Sequence, residues 1–151
     1  MDDVIGNLDD AAARRILDSI ARARLHSGAV ELPWTLDLCQ ALAGAFELPP
    51  PRERASDGEL ARRALLLAAE DPATREAIRI MAANPPETGT RYDPGTSIAL
   101  ATAVLIVLQT HLRFERDKQG KWTLKIEKKP TTEALLKPLV EKLLAYLPPG
   151  K

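Results

Sequence analysis

The chain has 151 residues, 45% of them hydrophobic and 28% charged, a balance that suits one globular domain with its own core and speaks against a disordered or fibrous protein. Its 21 Lys and Arg are matched by 21 Asp and Glu, so bulk charge supplies no attraction to nucleic acid or to an anionic membrane. The charge is polarised along the chain, however: residues 1–112 hold 11 basic and 16 acidic side chains, whereas residues 113–129 hold 7 basic and 3 acidic.

The first helix is expected over 9–25, with Asn7 or Asp9 as N-cap, a stripe of Ala13, Ile16, Leu17 and Ile20, and a stop at Ser27-Gly28. A second helix starts near Thr35 and passes through Leu38 and Leu42 to Phe46. Pro49-Pro50-Pro51 is expected to end it as a stiff connector, because a proline run lacks backbone donors. Ser56 stands three residues before Glu59, the spacing at which hydroxyl and carboxylate cap each other's exposed amides, ahead of the helical stretch Leu60–Glu70. Asp71-Pro72 caps a further helix over 73–83, with Ile78, Met81 and Ala82 on one side.

Pro85, Pro86, Gly89, Pro94 and Gly95 mark 84–95 as a linker loop between a helical region, 1–83, and a helix-hairpin-helix unit, 96–148; the alternative is one compact domain overall. Thr96 or Ser97 caps an apolar helix over 98–108. That stretch is shorter than the roughly 17–25 residues needed to span a bilayer, which makes it a buried helix. Residues 112–116 and 121–127 then alternate with period two, turning Leu112, Phe114, Trp122, Leu124 and Ile126 inward around the turn Asp117-Lys118-Gln119-Gly120. Arg113, Glu115, Thr123, Lys125 and Glu127 share the other face, where opposite charges are expected to pair across the strands.

A lone hairpin is marginal in water, so the 98–108 helix and a final helix over 132–147 are its expected covers. Leu135, Leu139, Leu143 and Leu147 recur at i, i+4 in that last helix, and Pro138 is expected to kink or restart it at a cost of about 3 kcal/mol. The fold class is therefore α+β, mainly α: N-terminal helices followed by a helix, β-hairpin, helix unit.

Chemistry-bearing patterns are few. The chain contains neither of the glycine-rich signatures that cradle nucleotide phosphates. Cys39 lies in a helical stripe of Leu38, Ala41 and Leu42, which reads as a buried, inert thiol, and a single cysteine fits a reducing, cytoplasmic setting. His26 and His111 fall at helix ends, where a cation meets the negative end of the dipole. Acid pairs such as Glu70-Asp71 fall where carboxylates cap helices, and Cys, His and acids show no metal-ligand spacing. The acidic opening Met1-Asp2-Asp3 has the wrong sign for a targeting peptide. No catalytic residue, cofactor or metal is expected.

The remaining candidates are a wide apolar face on the last helix, Leu139 and Leu143, and a basic ribbon on the hairpin, Arg113, Arg116, Lys121 and Lys125. Nucleic acid is not the expected partner of this ribbon, because alternation turns Phe114 and Trp122 toward the core and away from stacking. The expected role is a non-catalytic protein-interaction or adaptor module, with a protein partner or a second copy of the chain as its target. The succession of apolar helix, charged hairpin and amphipathic helix resembles small bacterial accessory modules that accompany larger effector proteins. That resemblance implies the alternative of a membrane-docked or membrane-active component, with the 98–108 helix and the basic hairpin at the lipid surface.

Overall fold

Four helices of this chain begin where a short polar side chain stands in for a missing backbone acceptor. The computed structural model describes residues 2–29, 32, 35–48, 55–84, 100–109, 111–126 and 130–146. After a short helix α1 (Asp2–Gly6), the Asp9 carboxylate accepts from the Ala12 amide at 2.7 Å and opens α2 (Asp10–His26). Thr35 Oγ1 accepts from the Leu38 amide ahead of α3 (Leu36–Ala45). Ser56 Oγ accepts from the Glu59 amide ahead of α4 (Asp57–Ala68). Asp71 takes both the amide and the hydroxyl of Thr74 at the start of α5 (Pro72–Ala83), with Pro72 in the first turn, where its missing N–H costs nothing. There follow α6 (Leu100–Leu108), β1 (Leu112–Arg116), β2 (Trp122–Ile126) and α7 (Pro130–Tyr146). This is the expected α+β, mainly α arrangement; α1 is the addition, too short to show a periodicity.

Helix α2 ends where expected, whereas α3 and α7 depart from expectation. Helix α2 stops at Gly28, whose φ of +114° lets the Ala29 amide reach back to the Arg24 carbonyl at 3.0 Å. Helix α3 closes in the same way ahead of the prolines: the Leu48 amide donates to the Ala43 carbonyl at 3.0 Å, with Glu47 at φ +52°, a conformation that costs a non-glycine residue about 1–2 kcal/mol. The expected connector Pro49-Pro50-Pro51 lies outside the described residues, as do the linker positions 85–95 and the caps Thr96 and Ser97. Helix α7 runs unbroken through Pro138. The carbonyl left without a partner by the proline belongs to Ala134, an exposed residue, and water can take that bond.

Helix α4 occupies the centre. Gly58, Leu60, Ala61, Ala64, Leu65, Leu67 and Ala68 are all buried on it, and it touches α1, α2, α5, α6 and α7. Helix α6 is apolar all round and almost wholly enclosed, as an interior helix should be. Because α6 packs on α2 and α4, and α7 on α4 and α3, helices from both sides of 85–99 share one apolar core.

The hairpin is covered by a different helix from those expected: β2 lies along α3. Leu112 is buried, and Phe114, Trp122 and Leu124 are half-buried against the core, so these four turn inward as read, while the side chain of Ile126 lies outside the described residues. Helices α6 and α7 are occupied elsewhere, mainly by α2 and α4 respectively.

Where α2 meets α4, the contact is set by a missing Cβ. Gly58 lies under the Asp10 carboxylate, and a Cβ there would stand 1.8 Å from Oδ1. Two crossed ion pairs frame this point: Arg14 Nη1 donates to Asp57 Oδ2 at 2.8 Å, and Arg62 Nη1 to Asp10 Oδ1 at 2.9 Å. Gly58→Ala must swing Asp10 away from Arg62, so it should destabilise the protein by about 1 kcal/mol in thermal melts. In an Asp10→Ala background the same change should be stabilising by about 0.5–1 kcal/mol, because alanine is the better helix former. An equal effect in both backgrounds would show that the close approach is unimportant.

Candidate functional site

The hairpin turn is built from its own side chains. Asp117 Oδ1 accepts from the amides of Gln119 at 2.9 Å and Lys121 at 2.8 Å, and the Gly120 amide donates to the Asp117 carbonyl at 3.0 Å. Gly120 has φ +84°, the left-handed residue that a three-residue hairpin loop requires. This loop length fixes the register: Leu112 opposes Ile126, Arg113 opposes Lys125, Phe114 opposes Leu124, Glu115 opposes Thr123 and Arg116 opposes Trp122.

Two faces result, because successive side chains alternate across the sheet. Leu112, Phe114 and Leu124 belong to the core face. Arg116 belongs to it as well, at the turn end, where its guanidinium lies 5.4 Å from the centroid of the Trp122 ring and Nε donates to the Gly120 carbonyl at 3.1 Å. A cation over an aromatic ring in such a setting contributes about 0.5–1 kcal/mol. Arg116 thus clasps the turn and is held apart from the other predicted contact residues.

The outward face carries Arg113, Glu115, Thr123 and Lys125, all exposed, and Lys121, also exposed, precedes β2 at the turn. Among the described residues the expected pairing of opposite charges does not occur: Arg113 and Lys125 stand directly opposite each other, an arrangement that destabilises a strand pair. Among the described residues neither has a carboxylate within 4 Å, while Glu115 faces Thr123, whose hydroxyl reaches the Glu115 carbonyl at 3.4 Å. Sequence alternation located this face. The row formed by Glu115 and Thr123 at its middle was missed, and only the loop length could have revealed it. Glu127, Lys128 and Lys129 lie outside the described residues.

Leu139 and Leu143, expected on a partner-binding face, are fully buried together with Leu136 and Val140. Helix α7 is apolar over a wide arc because α3, α4 and α6 all pack on it, so these leucines belong to the interior and offer nothing to a partner in this conformation.

A second polar cluster joins α2 to the start of α5. Arg24 Nη2 donates to Thr74 Oγ1 at 3.1 Å, and Thr74 in turn donates to Asp71. The Asp71 carboxyl is held below its usual range, first by the Thr74 hydroxyl, then by the Thr74 amide, with the charges of Arg24 and His111 adding to the effect. Neighbouring Glu70 has one buried carboxylate oxygen without a hydrogen-bond donor among the described residues. These contacts tie helix ends together. Cys39 is buried, and burial pushes its thiol up to about 11, which leaves it protonated and unreactive at neutral pH. Among the described residues no three His, Cys, Asp or Glu side chains group to hold a metal, and no helix is long and apolar enough to cross a membrane.

Two stability measurements separate the interior from the outward face. Leu143→Asp places a carboxylate in the core and should remove about 4 kcal/mol or more, most of a typical domain's stability, so that the cooperative melt is lost. Arg113→Glu turns a like-charge row into an attractive one and should raise stability by a few tenths of a kcal/mol, roughly 1 °C in melting temperature, with the gain fading at high salt. A fall in stability would mean that Arg113 is already compensated. The chain matches no known protein family, and neither a characterised protein nor a solved structure is similar to it.

Proposed function

We propose that this protein is a non-catalytic interaction or adaptor module of the cytoplasm, and that the outward face of its hairpin is the contact surface. The supporting observation is the exposed Arg113 and Lys125 row, two like charges set against each other without a carboxylate partner among the described residues, on a hairpin whose other face is anchored to the core. Such a row lowers the stability of the free protein and gains a favourable partner when an acidic surface arrives. An unreactive, buried Cys39 suits a reducing compartment.

A lipid surface is the weaker reading. With α6 enclosed by protein, hairpin cations alone would have to hold the membrane, and Glu115 lies among them. Clusters of several uninterrupted basic residues are what anionic headgroups favour.

A photo-crosslinking amino acid in place of Thr123, at the centre of the outward face, should give discrete protein adducts in extracts of the source cell. The same group in place of Arg63, exposed on α4, should give none of them. An adduct with a second copy of the chain would identify self-association as the mode. Adducts of equal yield from both positions, or none from Thr123, would remove the hairpin from consideration as the contact surface.

A further inference from the structure

Independently of the hairpin, we infer that α5 carries a second contact surface, whose occupant is α5 of a second copy of this chain laid antiparallel across a two-fold axis. Helix α5 is more apolar than its packing uses. It rests on α1, α2 and α4, yet Ile78 is its one buried residue, while Ala73, Ile80 and Ala83 are exposed. Ile80 is 57% exposed and is the only large hydrophobic side chain so open among the described residues. One exposed isoleucine needs no explanation by itself. What points to a second copy is that two unrelated features of α5 require the same register.

The first feature is shape. Ala73, half-buried Ala77 and Ile80 follow one another at i, i+4 and i+7, a single stripe along the helix. Let this stripe meet its own copy running the other way, with the two-fold axis passing midway between Ala77 and Ile78. Each Ile80 then falls level with the gap between Ala73 and Ala77 of the second copy, about 3 Å from either along the axis at roughly 1.5 Å per residue. A large side chain thus enters a space left by two small ones, in both directions at once.

The second feature is charge. Glu76 and Arg79 lie together on one flank of the stripe, both exposed, with Arg79 Nε donating to Glu76 Oε2 at 3.0 Å. A two-fold between antiparallel helices keeps like flanks together and reverses their direction. With the axis in the same place, Glu76 stands level with Arg79 of the second copy, and Arg79 with its Glu76. The pair within each helix becomes part of a ring of four alternating charges. Sliding the helices by three residues either way would set Glu76 against Glu76 or Arg79 against Arg79, which is unfavourable. The contact is small against the roughly 1,200–2,000 Å² that stable interfaces bury, so the association is weak and depends on concentration.

Sedimentation equilibrium of the full chain, from micromolar to millimolar concentration, should show monomer and dimer in exchange. Ile80→Gln should weaken the dimer at least about ten-fold, because symmetry removes the side chain twice, while the melting temperature of the monomer stays unchanged. Glu76→Arg and Arg79→Glu should each associate about three- to ten-fold less well than the parent. A mixture of these two variants should recover the dimer, since a basic flank then meets an acidic one.

A parent that stays monomeric throughout, an Ile80→Gln variant that associates as the parent does, or a mixture no stronger than its components would overturn the inference. So would a dimer that survives these changes and is lost on Arg113→Glu, which would assign self-association to the hairpin. A photo-crosslinking amino acid in place of Ala83 that captures other proteins of the source cell in preference to a second copy would overturn it as well.

Discussion

The architecture depends on how closely neighbours can approach α4. Five other helices touch this one element, and its buried surface alternates leucines with Gly58, Ala61, Ala64 and Ala68. Small side chains let backbones come near each other, while the leucines fill the spaces between them, which is how an interior reaches native packing density. The Asp10 side chain over Gly58 marks the limit of that approach. Charges then fix the orientation of the surrounding helices: Arg14 and Arg62 tie the α2 and α4 starts together, and Lys142 reaches Glu59 at 3.1 Å from α7. Exposed ion pairs of this kind contribute little energy each.

The hairpin is held to this core from one side only. Its turn is self-capped, Arg116 lies over Trp122, and β2 rests on α3. Two strands alone are marginal in water, so the α3 contact is what makes the hairpin persistent. With its inward face fixed, the outward face can carry residues that weaken strand pairing without losing the fold. Arg113 against Lys125 is such a pair.

Much of the local structure was legible in the sequence because its causes are local. Asp9, Thr35, Ser56 and Asp71 cap the helices expected to start beside them, and Gly120 closes the turn expected of it. What was illegible depends on distance or on register. Periodicity reported that α7 has a wide apolar face, but whether Leu139 and Leu143 meet a partner or the chain's own helices is decided by α3 and α4, far away in sequence. Likewise, period two assigns Arg113 and Lys125 to one face without saying which residues are opposed; a loop one residue longer or shorter would have shifted every pair. Glu47 in the left-handed region was equally hidden, since glycine is the residue that announces such an end.

A sequence that folds well usually agrees with itself at every level, and departures concentrate where something other than folding is being served. Three of the departures in this chain have local compensations. Glu47 is offset by the helix-closing bond from Leu48 to Ala43, Pro138 by the exposed position of Ala134, and the crowded acids at the α2 and α4 starts by Arg14 and Arg62. The Arg113 and Lys125 row has no such compensation among the described residues. Substituting either member with threonine or glutamate would relieve it at no cost to the core, so folding alone gives no reason to keep both.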